Sequence, residues 1–195
     1  GRHPGPPHGQ NRGGRRYPHP ALIGLVADEG SSDLDLPRHD PSTAEPESRR
    51  WIVAIGASAG GLEALQRFFS ALQAPTSAAF VVIQHLSPDH RSMMPELLAR
   101  HCALPVQEAL AGEALEADRV YLMPAGVLMT MADQHLVFSP RPLHGLSLPI
   151  DAFFRSLAAT VADRSIGVVL SGSGSHGSAG GSVLRAAGGY VMAQQ

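Results

Sequence analysis

Two residues of this sequence, Ser58 and His85, are of the types that form a nucleophile and its base. Ser58 lies in the stretch GASAGG, where Gly56, Ser58 and Gly60 match G-x-S-x-G. That spacing is typical of a sharp strand-to-helix turn that presents the serine hydroxyl to a substrate. The same glycines could instead cradle a phosphate at the start of a helix. On this pattern alone, both chemistries stay open.

His85 favours the nucleophile over the phosphate site. A serine hydroxyl is a weak nucleophile and needs a base within hydrogen-bond reach. His85 directly follows the run AAFVVIQ, at the end of a predicted strand, where a residue that only packed in a core would normally be aliphatic. If the strands that precede Ser58 and His85 are neighbours in a sheet, the imidazole can face the hydroxyl. We therefore interpret the two residues as a catalytic pair, with a hydrogen-bonded histidine at a strand end as the alternative.

Apolar runs of two kinds must position these residues. Short runs rich in β-branched residues predict strands in WIVAIGA, AAFVVIQHL, LPVQEA, RVYLMPAG, SIGVVLSG and YVMAQQ. Apolar residues at helical spacing predict helices in GLEALQRFFSAL, SMMPELLARHC, PIDAFFRSLAATVAD and SAGGSVLRAAGG. The stretch LMTMADQHLVFSP predicts a hairpin that turns at Asp133 and Gln134. The alternation predicts an α/β fold, a three-layer sandwich with a mainly parallel sheet, helices on both faces and a small hairpin.

Three loops follow strands of the predicted sheet and carry small or polar residues. They are GASAGG after WIVAI, QHLSPDH after AAFVV, and SGSGSHGSAGG after SIGVVL. Sites of open parallel sheets form where the carboxyl ends of the strands meet such loops. The sequence therefore predicts one site, built from all three loops.

Composition divides the chain of 195 residues near residue 50. Residues 1–49 are rich in Pro, Gly, Arg and His and predict a disordered tail, while residues 50–195 predict one domain. The net charge of −2 gives no general attraction for nucleic acid, and no apolar run reaches the roughly 20 residues of a membrane span. A single cysteine, Cys102, excludes an internal disulfide and favours a reducing compartment. No histidine or cysteine spacing indicates a metal site.

Four segments together resemble one known family. VAIGASAGGLEAL, FVVIQHLSPDHRSMMPELLARH, LPIDAFFRSLA and IGVVLSGSGSHGSAG are similar to the catalytic domain of the chemotaxis protein-glutamate methylesterases, the CheB family, in versions fused to a methyltransferase and sensory modules. The resemblance runs from Trp51 to the C-terminus. It implies a cytoplasmic hydrolase without a cofactor, which cleaves methyl esters of receptor glutamates and in some members deamidates glutamines. The implied partners are a methyl-accepting chemotaxis receptor or similar signalling protein, and a fused or separate methyltransferase.

The same resemblance assigns roles within the three loops. Ser58 is the implied nucleophile and His85 the implied general base, while the N–H groups of Ala59 and Ser173 are candidate donors to the oxyanion. The family carries an aspartate at the third triad position, where this chain has His176. A neutral histidine can orient the base but cannot supply the negative charge that stabilises the imidazolium. In serine proteases the loss of that charge costs about 10⁴-fold in turnover, or about 5 kcal/mol of barrier.

His176 leaves alternatives to an active hydrolase. Asp89 and Asp151 could replace the missing carboxylate, although both are better interpreted as capping or first-turn residues of helices. A degenerate domain that binds its receptor and turns over slowly or not at all is the second hypothesis, and a nucleotide-binding module is the third. The family also begins with a receiver domain, for which residues 1–49 are too short, and continues beyond YVMAQQ. We therefore expect a domain truncated at its C-terminus.

Overall fold

The structure is a computed structural model that describes residues 50–58, 61–84, 93–141, 148–170 and 177–194. The predicted tail, 1–49, lies outside the described residues. Chain contacts separate residues 1–40 from a second unit, 41–195, and everything described here belongs to that second unit.

Eight strands and four helices alternate along the described chain. The strands are β1 (Trp51–Ala57), β2 (Ala78–Gln84), β3 (Val106–Glu108), β4 (Arg119–Leu122), β5 (Val127–Ala132), β6 (His135–Pro140), β7 (Ser165–Val169) and β8 (Tyr190–Ala193). The helices are α1 (Leu62–Ser70), α2 (Met94–Ala99), α3 (Pro149–Thr160) and α4 (Ser178–Ala186), and a 3₁₀ helix covers Ala162–Arg164. Every strand and helix that the sequence pattern predicts is present.

Six of the strands form one parallel sheet in the order β3-β4-β2-β1-β7-β8. β1 and β2 are central and buried along almost their whole length, as their continuous apolar runs require. β5 and β6 form the predicted antiparallel hairpin, whose turn residues Asp133 and Gln134 have φ angles of 46° and 65°. Two positive φ angles in a two-residue turn match the twist of a hairpin.

Alternate side chains of the sheet pack into two separate cores. One core lies beneath α1 and α2 and contains Leu65, Phe69 and Leu98. The other lies beneath α3, α4 and the hairpin and contains Phe153, Phe154 and Leu184. Helices therefore cover both faces of the sheet, and the predicted three-layer α/β sandwich with a small hairpin is confirmed.

The side chains around α2 differ in their burial. Met94 and Cys102 pack against the α1–α2 core, and burial raises the pKa of the Cys102 thiol. Met93, which directly precedes α2, is 65% exposed. Trp51 is half-exposed and its ring lies 5.9 Å from that of Tyr190 at the start of β8.

Candidate active site

Ser58 follows β1 at the carboxyl edge of the sheet. Its carbonyl oxygen accepts the N–H of Gly61 at 2.9 Å, and the Gly61 oxygen then accepts the N–H of Leu65 at 2.9 Å in α1. A Cβ on Gly61 would lie 2.9 Å from the Cβ of Ala57 and 3.1 Å from the Ser58 oxygen. The chain therefore turns from strand to helix so tightly that only glycine fits at position 61, and the half-buried Ser58 stands at that turn.

The strands on both sides of β1 end at the same level. Ala57 of β1 pairs with Gln84 of β2, and the N–H of Leu170, just after β7, donates to the Gly56 oxygen at 2.9 Å. Because all three strands are parallel, their carboxyl ends meet at one edge. The chain enters the second loop one residue beyond Gln84 and the third loop one residue beyond Leu170.

The structure therefore brings together the strands that carry the candidate residues, but it describes only Ser58 among them. His85, Ala59, Ser173 and His176 lie outside the described residues, as does the alternative carboxylate Asp89. The catalytic pair requires that the strands before Ser58 and His85 are neighbours in the sheet. The parallel pairing of β1 with β2 meets this condition.

Helix α3 begins directly against this edge of the sheet. A Cβ on Gly56 of β1 would lie 2.6 Å from Cγ2 of Ile150, and one on Gly177 would lie 2.9 Å from the same atom. Ile150 thus packs against the carboxyl end of β1, at Gly56, and against Gly177, the residue that precedes α4. Gly56 and Gly177, which belong to the first and third of the loop stretches predicted to form the site, both make room for this isoleucine.

Asp151, the next residue of α3, is a buried carboxylate that bonds to the start of α4. Only 4% of its surface is exposed. Oδ2 accepts the N–H of Gly177 at 2.8 Å, and Oδ1 accepts the N–H of Gly180 at 2.7 Å. The sequence predicted a first-turn or capping carboxylate for the helix that Asp151 opens. The residue does lie in the first turn of α3, but both its oxygens serve the neighbouring helix.

A pocket of about 120 Å³ lies at the opposite end of β1 from Ser58. Arg50, Ile52, Asp133, His135 and Arg164 are among its lining residues. These residues belong to the amino ends of β1 and β7 and to the hairpin turn, so the pocket is separate from the candidate site.

In the described part of the chain, no cluster of three or more His, Cys, Asp or Glu side chains has the arrangement of a metal site. Over the same residues, no helix combines the length and the apolar character that crossing a membrane requires.

Comparison with known proteins identifies the family of this fold. Residues 53–195 match the family model described as CheB methylesterase. The crystal structure of the Thermotoga maritima CheB methylesterase catalytic domain superposes with a TM-score of 0.64 at 27% identity, covering 72% of this chain and 77% of that one.

The relatives found by sequence are longer chains. Protein-glutamate methylesterase/protein-glutamine glutaminase 3 of Paramagnetospirillum magneticum is 38% identical over 73% of this chain and 41% of its own length. The protein of that name from Burkholderia orbicola is 35% identical over 88% of this chain and 50% of its own length. An uncharacterised 104.1 kDa protein of Rhodobacter capsulatus is 46% identical over 52% of this chain and 11% of its own length. The chain thus spans half or less of the length of these relatives. Because the family model matches most of its residues, the chain belongs to the CheB methylesterase family.

Proposed function

We propose that the chain hydrolyses γ-methyl esters of glutamate residues on a methyl-accepting chemotaxis receptor or a similar signalling protein, with Ser58 as the nucleophile. The observation that carries the proposal is the position of Ser58 on a tight strand-to-helix turn, at the edge where β1, β2 and β7 end side by side. Family membership supports the reaction, because relatives are named protein-glutamate methylesterase/protein-glutamine glutaminase. Deamidation of receptor glutamines is the second reaction that those names support.

The proposed chemistry is acyl transfer through the serine. Ser58 Oγ attacks the ester carbonyl carbon while His85 takes the hydroxyl proton. The N–H groups of Ala59 and Ser173 stabilise the oxyanion. The tetrahedral intermediate collapses, and methanol leaves with the proton from His85. Water then attacks the acyl-enzyme with His85 as base, and the glutamate carboxylate and free Ser58 are restored.

The register of the sheet supports the pairing of Ser58 with His85. Ala57 and Gln84 are paired at the ends of β1 and β2, and Ser58 and His85 directly follow them in the sequence. Neighbouring parallel strands lie about 4.8 Å apart, so residues at the same level of two such strands can exchange a side-chain hydrogen bond. The proposal needs no cofactor. We assign the activity to the cytoplasm, in keeping with the single cysteine of the chain.

A degenerate, receptor-binding domain is the second candidate function. His176, at the position of the family's aspartate, is the observation that favours it. Asp151 offers weak compensation, because both its oxygens already accept backbone N–H groups of α4. If His176 does not do the work of the triad carboxylate, the chain retains its receptor-binding surface and loses most of its rate of ester hydrolysis.

Methanol release from a methylated receptor fragment tests the proposal and separates the two candidates. We expect Ser58→Ala to reduce release to background and to abolish labelling by a serine-directed phosphonate. Ser70→Ala is the matched control, because Ser70 is an exposed serine of α1 whose hydroxyl donates to the His101 oxygen. Equal activity of the Ser58→Ala variant and the parent chain would contradict the nucleophile.

The variant His176→Asp measures what the third triad position contributes. Restoring the carboxylate is expected to raise the rate by up to about 10⁴-fold, by analogy with the aspartate of serine proteases. Parent and variant chains that release methanol equally fast would show that position 176 does not act as the triad acid. A parent chain without activity that gains it in the variant would identify the degenerate domain.

A further inference from the structure

Asp151 is a buried carboxylate that accepts hydrogen bonds from two backbone N–H groups at the start of one helix, α4. Its two oxygens accept the N–H groups of Gly177 and Gly180 at 2.8 and 2.7 Å. In the described part of the chain, no lysine or arginine forms an ion pair with it. Burial of a charge is costly, and two hydrogen bonds offset that cost only in part. What the carboxylate does in this structure is to bind two backbone N–H groups at the start of α4.

The packing around Asp151 is unusually close. A Cβ on Gly180 would lie 2.6 Å from the Cα of Asp151 and 2.7 Å from its carbonyl oxygen, so the backbones of α3 and α4 are in direct contact. Gly177, the residue before α4, has a φ of 86°, which glycine adopts without strain. The carboxylate thus fixes both the entry residue and the first turn of α4.

The residues fixed in this way connect directly to the candidate site. Gly177 follows His176, and the segment that ends there begins after Leu170, whose N–H bonds to the Gly56 oxygen of β1. The residues on either side of the third loop are therefore held by described contacts, Leu170 by β1 and Gly177 by Asp151.

We propose that Asp151 is a positioning residue for hydrolysis, which fixes the backbone of Gly177 and Gly180 and thereby anchors the chain where it leaves His176. The inference rests on the proposed function, which assigns Ser173 and His176 of the third loop their roles. Groups that stabilise a transition state act only when their geometry is held within a fraction of an ångström. Asp151 itself touches neither the substrate nor the reacting atoms.

The variant Asp151→Asn tests this role, because asparagine has nearly the same shape as aspartate but lacks its charge and its second acceptor oxygen. The amide oxygen can still accept one N–H, but the amide nitrogen then faces a second N–H donor, so one of the two bonds is lost. Asp118→Asn is the matched control. Asp118 also accepts backbone N–H groups, those of Thr76 at 2.5 Å and Ser77 at 3.3 Å, at the amino end of β2. All of these bonds end on Oδ1, whose place the amide oxygen of asparagine can take. The control therefore removes a carboxylate charge at the other end of the sheet without losing the bonds.

Two measurements on the 195-residue chain follow, at a temperature where circular dichroism shows all variants folded. We expect Asp151→Asn to lower kcat for methanol release by about 100-fold. KM should change by less than about threefold, because the substrate-binding surface is untouched. Amide hydrogen exchange at residues 177–180 should become faster in this variant alone. Asp118→Asn should leave kcat, KM and exchange at 177–180 unchanged.

The outcomes separate this inference from the proposed function. Unchanged kcat in Asp151→Asn, or an equal loss in both variants, overturns the positioning role. A parent chain that neither releases methanol nor reacts with a phosphonate at Ser58 overturns the proposed function instead. In that case exchange still decides the structural part of the inference. Protection at 177–180 that survives in Asp151→Asn overturns it, and protection lost only in that variant supports it.

Discussion

Asp118 shows how one carboxylate can fix the start of a central strand. Its Oδ1 accepts the N–H of Thr76 at 2.5 Å and the hydroxyl of the same residue at 2.8 Å, just before β2. Burial pushes the pKa of Asp118 upward, but the hydrogen bonds from Thr76 and Ser77 together bring it below the ordinary value. Asp118 has a φ of 57°, a conformation that Asp and Asn both tolerate, so Asp118→Asn changes the charge and little else.

The lowered pKa of Asp118 predicts how this variant responds to pH. The carboxylate contributes stability in full above its unfolded pKa of about 4, and the contribution is lost as the pH falls through the lower folded pKa. We expect Asp118→Asn to lower the free energy of unfolding by about 1 kcal/mol near pH 7. The difference from the parent chain should shrink toward zero on acidification.

Urea unfolding of both chains between neutral and strongly acidic pH measures this difference. Asp163→Asn, which removes an exposed carboxylate from the 3₁₀ helix, is the control and should show little effect at any pH. A difference that grows as the pH falls would contradict the prediction.

Ser58 and Asp151 differ in how far their surroundings could be predicted from the sequence. The spacing around Ser58 predicted its turn, because G-x-S-x-G is a local pattern. The partners of Asp151 were not predictable, since they lie 26 and 29 residues away and a carboxylate in a first turn suits its own helix equally well. Only the packing of α3 on α4 assigns it to the second helix.

Among the elements, α3 and α4 make the closest helix contact beside the site, and their interface predicts a contrast between two adjacent glycines. A Cβ on Gly180 would meet backbone atoms of Asp151, which cannot rotate away. A Cβ on Gly181 would lie 3.3 Å from Cγ1 of Val191, the end of a side chain that can adjust. We expect Gly180→Ala to destabilise the chain by about 1–3 kcal/mol, as overpacking does.

Gly181→Ala is the matched variant, because it makes the same change on the same helix. Alanine is favoured over glycine inside a helix by about 1 kcal/mol, so this variant should be neutral or slightly stabilising. Thermal unfolding of both variants beside the parent chain gives the comparison. If Gly180→Ala proved as stable as Gly181→Ala, the close approach of the two helix backbones would be wrong.

The elements themselves were predictable, because each one satisfies a local rule. The apolar runs rich in β-branched residues form buried strands, and Pro95 lies in the first turn of α2, where a proline is tolerated. The order of the strands was not predictable, because it depends on which apolar faces meet. Nothing local indicates that β1 and β7 are neighbours, or that β3 and β8 form the edges of the sheet.

For the whole molecule, the division of the chain predicts where it can be cut. All described strands and helices follow residue 50, and the guanidinium of Arg50 donates to the Leu115 oxygen. We expect a chain that begins at Pro41 to retain the melting temperature of the parent and its rate of methanol release, since the contact unit 41–195 is kept whole. Differential scanning calorimetry tests this directly. A large fall in melting temperature on removal of residues 1–40 would contradict the predicted domain boundary.

The central place of β1 has a consequence for biosynthesis. β1 is the first of the described strands to leave the ribosome, and β2 can join it once residue 84 has emerged. Its other neighbour, β7, does not exist until residues 165–169 have been made. Until then a nascent chain carries an apolar strand with one row of unpaired backbone groups, which is a template for association with other chains. The edge beside Ser58 is thus completed well after β1 and β2 have been made, and a chaperone that bound the nascent chain would protect it in that interval.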